Sequence, residues 1–256
     1  MATGQRTFKD YFSAGADDYA QFRPDYPPAL FEYIASLTPR RVRAWDCATG
    51  NGQAAVGLSE FFQEVLATDA SAKQIASAIP NPRVRYIVAN AEALPFPAGS
   101  IDVVTIAQAL HWFDFSAFYA EVNRVLASGG VIAAWTYTWA KIAPPIDEIM
   151  RRYARGIVGS YWPPERRHVD EEYRTIPFPF DVIETPAFSI EKNWTMNEFL
   201  GYLGTWSSSQ QYIKQNHRNP VDRITGPLSR EWGDPELRRT VRWKLTLRAG
   251  RVRPLI

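Results

Sequence analysis

The sequence predicts an α/β fold: a seven-stranded, mostly parallel sheet with helices on both faces. Three observations carry this. Across residues 42–61 a strand-like run (Val42–Cys47) enters a turn holding Gly50 and Gly52, and helical sequence follows from Gly52 to Phe61. The alternation then repeats, with strand-like runs at Val65–Asp69, Val84–Ala89, Ile101–Ala107 and Val131–Thr136. That rhythm belongs to parallel sheets crossed by helices. The run after Asp102 is almost continuously apolar, as in a strand covered on both faces.

The other elements follow in order. Phe8–Tyr26 is dense in aromatics (Phe8, Tyr11, Phe12, Tyr19, Phe22, Tyr26) without clean periodicity. It is read as a mobile lid. Pro27-Pro28 opens a helix, since Pro is favoured at the first helical position. Leu30, Phe31, Ile34 and Leu37 share its inner face, and Thr38-Pro39 ends it. Ser71–Ala78 is a short helix stopped by Pro80 and Pro82. Asp114 is placed to cap a helix over Phe115–Leu126, whose apolar stripe is Phe118, Val122, Val125 and Leu126. Gly129-Gly130 turns the chain into the fifth strand.

Beyond Tyr137 the rhythm changes. Pro144-Pro145 starts a helix with Ile146, Ile149, Met150, Tyr153 and Ile157 on one side. Tyr161–Pro179 reads as loop and Ala187–Trp194 as a strand. Thr195 caps a helix over Met196–Leu203, and Asp234-Pro235-Glu236 opens a last short helix. Thr240–Leu247 alternates Val241, Trp243, Leu245 and Leu247 with polar residues, the period of a strand with one polar face.

Composition narrows the function. At 46% hydrophobic with nine Trp, the chain can bury a large core. A net charge of +2 gives no reason to expect a nucleic-acid partner. The basic residues that thicken from Lys214 onward are read as a solvated face. Cys47 is the single cysteine, so no intramolecular disulfide is possible. With only three His, scattered at 111, 168 and 217, no metal site is expected. No long apolar run stands out, so the expectation is a cytoplasmic protein without a membrane partner.

A parallel sheet with a glycine turn after its first strand and an acid, Asp69, ending its second suits a nucleoside ligand. Glycines let backbone approach the ligand closely, and the helix N-terminus beyond offers unpaired N–H groups. Two designs share the layout. In the dinucleotide fold the acid holds the ribose hydroxyls, and Gly50-x-Gly52-x-x-Ala55 matches its relaxed fingerprint. A nicotinamide-dependent oxidoreductase is therefore one alternative. The S-adenosylmethionine fold is the other. It is favoured by Asp46 ending the first strand, Asn90-Ala91-Glu92 after the third, Asp102 heading the fourth, and the late strand pair.

The motifs Tyr19-Ala-Gln-Phe-Arg-Pro-Asp-Tyr-Pro27, Asp46-Cys-Ala-Thr-Gly-Asn-Gly52, Asp69-Ala-Ser71 and Asn90-Ala-Glu-Ala-Leu-Pro-Phe-Pro97 extend the comparison. So do Ile101-Asp-Val-Val104, Gln108-Ala-Leu-His-Trp-Phe113 and Tyr202-Leu-Gly-Thr-Trp-Ser207. On these residues the chain resembles the class I S-adenosylmethionine-dependent methyltransferases, and within them the group containing the trans-aconitate methyltransferases. It departs in having Asn90 where many relatives have Asp, and Ala48 and Asn51 in place of further glycines. The resemblance implies a Rossmann-like methyltransferase fold and methyl transfer to a small molecule, with a carboxylic acid the acceptor class of the subgroup. A non-catalytic module that keeps the cofactor is the remaining alternative.

The resemblance also implies roles. Gly50 and Gly52 would meet the methionine part of the cofactor, Asp46 its ammonium, directly or through water, and Asp69 with Ala70 the ribose. Asn90 and Ala91 would border the adenine. Tyr19, Arg23 and Gln108 complete the cofactor set, with Gln108 near the reacting methyl. His111 is the candidate base. Tyr11, Trp139, Arg151, Arg152 and Trp206 are the candidate acceptor contacts. One domain over residues 1–256 is expected, as a monomer or homodimer. Its parts are a lid and helix (1–40), a cofactor core (41–137), and an acceptor-pocket insertion with the C-terminal strand pair (138–256).

Overall fold

Burial on both faces builds the centre of the sheet. In the computed structural model, which describes residues 22–252, β1 (Arg43–Cys47), β2 (Glu64–Asp69), β3 (Val84–Val88), β4 (Ile101–Ala107) and β5 (Leu126–Tyr137) run parallel in the order β3-β2-β1-β4-β5. Side chains alternate between the faces. Val131, Ala133, Trp135 and Tyr137 of β5 enter one core, and Ile132 and Ala134 enter the other. Tyr11, Tyr19 and most of the proposed lid lie outside the described residues.

Three more strands finish the sheet. β6 (Asp181–Ile183) and β7 (Phe188–Trp194) both pair antiparallel with β8 (Arg239–Arg251), which itself runs antiparallel to β5. β7 takes Arg239–Leu245 of β8, and β6 takes Ala249–Arg251. The seven expected positions are present; the eighth strand arises because the outermost position is split between two segments.

The helices cover the faces as their stripes require. On one face lie α1 (Pro28–Ser36), burying Leu30, Phe31, Ile34 and Ala35, and α2 (Gln53–Ser59). The short α3 (Ala72–Ala76) is capped by Ser71, whose side chain accepts from the Gln74 N–H. On the other face α4 (Phe115–Val125) is capped as predicted, with the Asp114 carboxylate accepting from the Ser116 and Ala117 N–H groups. α5 (Pro144–Arg152) buries Ile146 and Met150 and runs into a π turn over Tyr153–Ile157. α6 (Arg166–Asp170) follows. α7 (Met196–Gly204) carries a reciprocal capping box between Thr195 and Glu198. α8 (Ser207–Asn216) and α9 (Asp222–Trp232) complete the set.

Three local expectations are corrected, and one stretch with no expected element gains a helix. Gly129-Gly130 does not precede the fifth strand: β5 already starts at Leu126, paired with Ile101, and the ladder shifts register before resuming at Val103–Val131. The 161–179 stretch is not all loop, since α6 lies within it. The 205–217 stretch, left without an element, forms α8. Asp234-Pro235-Glu236 opens no helix; the helix precedes it as α9, whose Ile224, Leu228 and Trp232 share a buried face despite Pro227. Among the described residues no helix is long and apolar enough to cross a membrane, and no group of three or more His, Cys, Asp or Glu is placed to hold a metal.

Candidate active site

Beyond β1 the chain makes a turn that few residue types tolerate. Ala48, Gly50 and Gly52 all have positive φ, at 53°, 57° and 89°. A Cβ on Gly50 would meet only Gln74 Oε1, at 3.8 Å, so backbone is open to a ligand there. A Cβ on Gly52 would come within 2.8 Å of the Tyr86 ring, so this position requires glycine twice over.

Two acids at the strand ends hold the turn. Asp69, at the end of β2, accepts from Gly50 N (Oδ2, 2.9 Å) and from Ser71 N (Oδ1, 2.8 Å). Asp46 has no exposed surface. Thr49 Oγ1 donates to its Oδ2 at 2.6 Å and Thr105 Oγ1 to its Oδ1 at 2.7 Å. Burial pushes its carboxyl up to about 6, against the pull of those two hydroxyls. Asp46 is enclosed on every side in this structure. It has no surface for direct contact, and it acts on the turn through Thr49. Asn90 is exposed past the end of β3, with Ala91 buried beneath it. Ala70 lies between Asp69 and the Ser71 cap.

Gln108 closes β4 in a left-handed conformation, φ 59°. Its N–H donates to Trp135 O at 2.9 Å, and its Oε1 accepts from Thr136 Oγ1 at 2.8 Å. Its Nε2 is buried without a hydrogen-bond partner among the described residues. Such a buried amide donor calls for a partner, a bound molecule or an ordered water.

Gln108 opens onto a cavity of about 70 Å³, lined in part by Arg23, His111, Tyr137, Arg166 and Trp206. Arg23 is fixed by Nη1 to Tyr137 Oη (3.2 Å) and Nη2 to Thr205 O (3.1 Å). The His111 ring is nearly buried, with Nδ1 3.0 Å from Tyr173 Oη. Burial first, then the nearby Arg166 and His168, lowers its pKa to about 3. His111 is therefore a neutral imidazole near pH 7. Arg166 packs over two indoles that meet edge to face, its Cζ 4.7 Å from the Trp139 ring centre and 4.5 Å from that of Trp162. Its Nε donates to Asp170 Oδ1 at 3.0 Å.

The structure thus brings Arg23, Gln108, His111 and Trp206 of the predicted set to one cavity. Trp139 stands behind it, against Arg166 and Trp206. Arg151 and Arg152 are not part of it. Both pair with Glu148 on the outer side of α5, and Arg152 is 78% exposed. The inner face of that helix is taken by Ile146, Met150 and Tyr153. Sequence reasoning missed Arg166, although a signal exists. Pro163-Pro164 can open a helix as Pro144-Pro145 does, and Arg166 then shares a face with apolar Val169. Tyr137 and Tyr173 were also missed, whereas Trp162, expected with Trp206 in the acceptor-pocket segment, does line the cavity.

An open sheet with a glycine turn and acids at its strand ends, beside an aromatic cavity bearing cations, is the layout of an enzyme that places a nucleoside cofactor against a second substrate. Comparison with known proteins gives the particular family. Residues 45–134 match the family model described as a methyltransferase domain. A Dictyostelium discoideum protein, named provisionally as a methyltransferase, is 33% identical over 238 residues, covering 90% of each chain. A solved structure from Anaeromyxobacter dehalogenans, described provisionally as a type II methyltransferase, is 45% identical with a TM-score of 0.85. It covers 91% of this chain and 100% of its own. This chain belongs to the class I S-adenosylmethionine-dependent methyltransferases, and S-adenosylmethionine is its cofactor. The nicotinamide alternative is set aside by that membership.

Proposed function

We propose that the methyl acceptor is a small molecule bearing a carboxylate, bound in the cavity between Arg23 and Arg166. The supporting observation is Arg166: a guanidinium, 19% exposed, packed over the Trp139 and Trp162 rings in the cavity that Gln108 also lines. A guanidinium can hold a carboxylate through parallel hydrogen bonds, and the indoles restrict water around it. The basic residues in and just before β8 offer less to a polyanion, since Arg238, Arg242 and Lys244 pair with Glu198, Glu191 and Glu172. We keep a cytoplasmic setting without nucleic acid or membrane as part of this reading.

The chain's own residues fit the cofactor. Gly50 and Gly52 give backbone access for its methionine part, Asp69 an acceptor for its ribose, and Asn90 and Ala91 a border for its adenine. Gln108 Nε2 supplies a buried donor where the cavity begins. When bound, S-adenosylmethionine supplies a methyl carried on a sulfonium. The residues of the cavity align the acceptor with it, and alignment of this kind is worth about 7–11 kcal/mol. A carboxylate oxygen is already a nucleophile and needs no base.

The test is S-adenosylhomocysteine release with a panel of small mono-, di- and tricarboxylic acids, in the wild type and in Arg166→Met. One or more acids should turn over, with the KM of that acid raised at least about tenfold in the variant, the loss of a charge-assisted bond. S-adenosylhomocysteine affinity should stay the same. Turnover of phenols or amines but no acid, or an unaltered KM in Arg166→Met, would contradict the proposal.

A further inference from the structure

A second cavity lies against the first, and the function argued so far makes no use of it. It holds about 440 Å³, against about 70 Å³ for the cavity of Gln108 and Arg166. The His111 ring lines both. One segment also walls both: Pro163, Arg166 and Val169 line the inner cavity, and Pro164, Arg167 and His168 the outer one. Only that segment and the His111 ring part the two spaces. The inner cavity is small for a whole substrate. A water-sized group needs about 10–15 Å³ of such space, so roughly five fit, a carboxylate and a short stem. A longer acceptor has to continue elsewhere, and the outer cavity is next to it.

The outer cavity has apolar walls and one directed polar group. Phe113 and Phe115 supply the apolar surface. His168 stands edge-on to Phe115, with ring centres 5.9 Å apart. The Asp114 carboxylate is taken by the cap of α4. His168 Nδ1 lies 3.0 Å from Thr175 Oγ1, and Thr175 Oγ1 donates to Glu171 Oε2 at 2.6 Å. A hydroxyl has one proton, and a carboxylate only accepts. The Thr175 oxygen is therefore the acceptor for His168 Nδ1–H. Burial first, then Arg167, lowers the His168 pKa from its ordinary value, against the pull of Glu171 and Glu165. The ring is neutral near pH 7, and its lone pair is on Nε2. Nε2 has no hydrogen bond among the described residues.

We propose that the outer cavity is a second subsite of the same active site: it takes the far end of the methyl acceptor, an apolar chain packed on Phe113 and Phe115 and ending in a hydroxyl that donates to His168 Nε2. The acceptor class is then an extended hydroxy acid, its carboxylate in the inner cavity and its chain passing His111. The inference rests on the carboxylate reading for the inner end only.

Two measurements on the S-adenosylhomocysteine complex test it. The first is calorimetric titration with the straight-chain acids from acetate to octanoate and with their ω-hydroxy counterparts. Affinity should rise about three- to fourfold per methylene once the chain passes His111. The long hydroxy acids should bind about three- to tenfold more tightly than the plain acids, the value of one hydrogen bond, and the short ones should not. That preference should vanish in His168→Leu. The second is thiol labelling of Ser116→Cys with methyl methanethiosulfonate. Ser116 lines the outer cavity, and Cys47, the single natural cysteine, is buried. A long hydroxy acid at about ten times its Kd should slow labelling about tenfold, and acetate should not. An affinity that does not grow with chain length overturns the proposal. So does a hydroxyl preference that survives in His168→Leu, or labelling that a bound long acid leaves at its free rate. Should His168→Leu not fold, the length series and the labelling decide. If no acid binds, the carboxylate reading falls. Labelling is then repeated with the phenol or amine that turns over, and an unslowed rate overturns the subsite on its own.

Discussion

Asp69→Ala separates two jobs that one carboxylate performs. In the protein without cofactor, Asp69 ties the glycine turn to the end of β2 through Gly50 N at 2.9 Å and Ser71 N at 2.8 Å. A hydrogen bond to a charged group contributes about 1.5–3 kcal/mol, and less where water reaches the carboxylate as it does here. Removing both should lower the stability of the free protein by about 1–3 kcal/mol. The proposed ribose contact adds a second loss that appears only with ligand. Two hydroxyl bonds to the charged group, lost without full additivity, should weaken S-adenosylhomocysteine binding about a hundredfold, or about 2.7 kcal/mol. Urea unfolding without and with saturating S-adenosylhomocysteine reads the two effects separately, because ligand stabilisation scales with the logarithm of concentration over Kd. Calorimetric titration gives Kd itself. Asp69→Asn should resemble Asp69→Ala, since its single amide oxygen cannot replace both carboxylate oxygens. If either variant is destabilised in the free form yet binds S-adenosylhomocysteine within threefold of wild type, Asp69 only ties the turn, and the ribose assignment is wrong.

Two further outcomes follow from the same geometry. His111 has a folded pKa near 3 against an ordinary 6.5, so the unfolded chain binds its proton first as pH falls. Stability is then fully present above pH 6.5 and falls towards pH 3, by up to about 1.4 kcal/mol per unit. The difference in unfolding free energy between wild type and His111→Gln, measured at pH 7 and pH 5, should shift in favour of the variant at pH 5; a constant difference would refute the buried neutral imidazole. Gly52→Ala should destabilise by at least about 1–2 kcal/mol, since its φ is 89° and the new Cβ would strike the Tyr86 ring. Tyr86→Ala should rescue part of that loss in the double variant, and strict additivity would mean the collision is not the cause.

The parts of the molecule that sequence revealed are those governed by local rules. Ile101–Ala107 is a strand to the residue because an apolar run flanked by a turn has few other uses. Asp114 and Thr195 cap the helices expected of them because capping is decided within four residues. Asp69 and Gly50 could be paired in advance because both belong to strand ends that a parallel sheet brings together. The acceptor cavity obeys no such rule. Arg166 and Arg151 carry the same charge and both follow a double proline, and only the packing of Val169 and Met150 decides which one turns inward. Tyr173 reaches His111 across 62 residues through a left-handed turn without glycine, a conformation that carries no sequence signal. Asp46 was readable as a strand-end acid, but its enclosure by Thr49 and Thr105 depends on β4 lying beside β1.

The central claim is that the cofactor lies across the carboxyl ends of β1 and β2, with its sulfur opening onto the cavity of Gln108, His111 and Arg166. A crystal structure of the S-adenosylhomocysteine complex tests it most directly. The account predicts ribose hydroxyls on the Asp69 carboxylate, the methionine portion over Gly50, and the sulfur facing the cavity within reach of Gln108. Ribose away from Asp69, or a sulfur turned from that cavity, would contradict it.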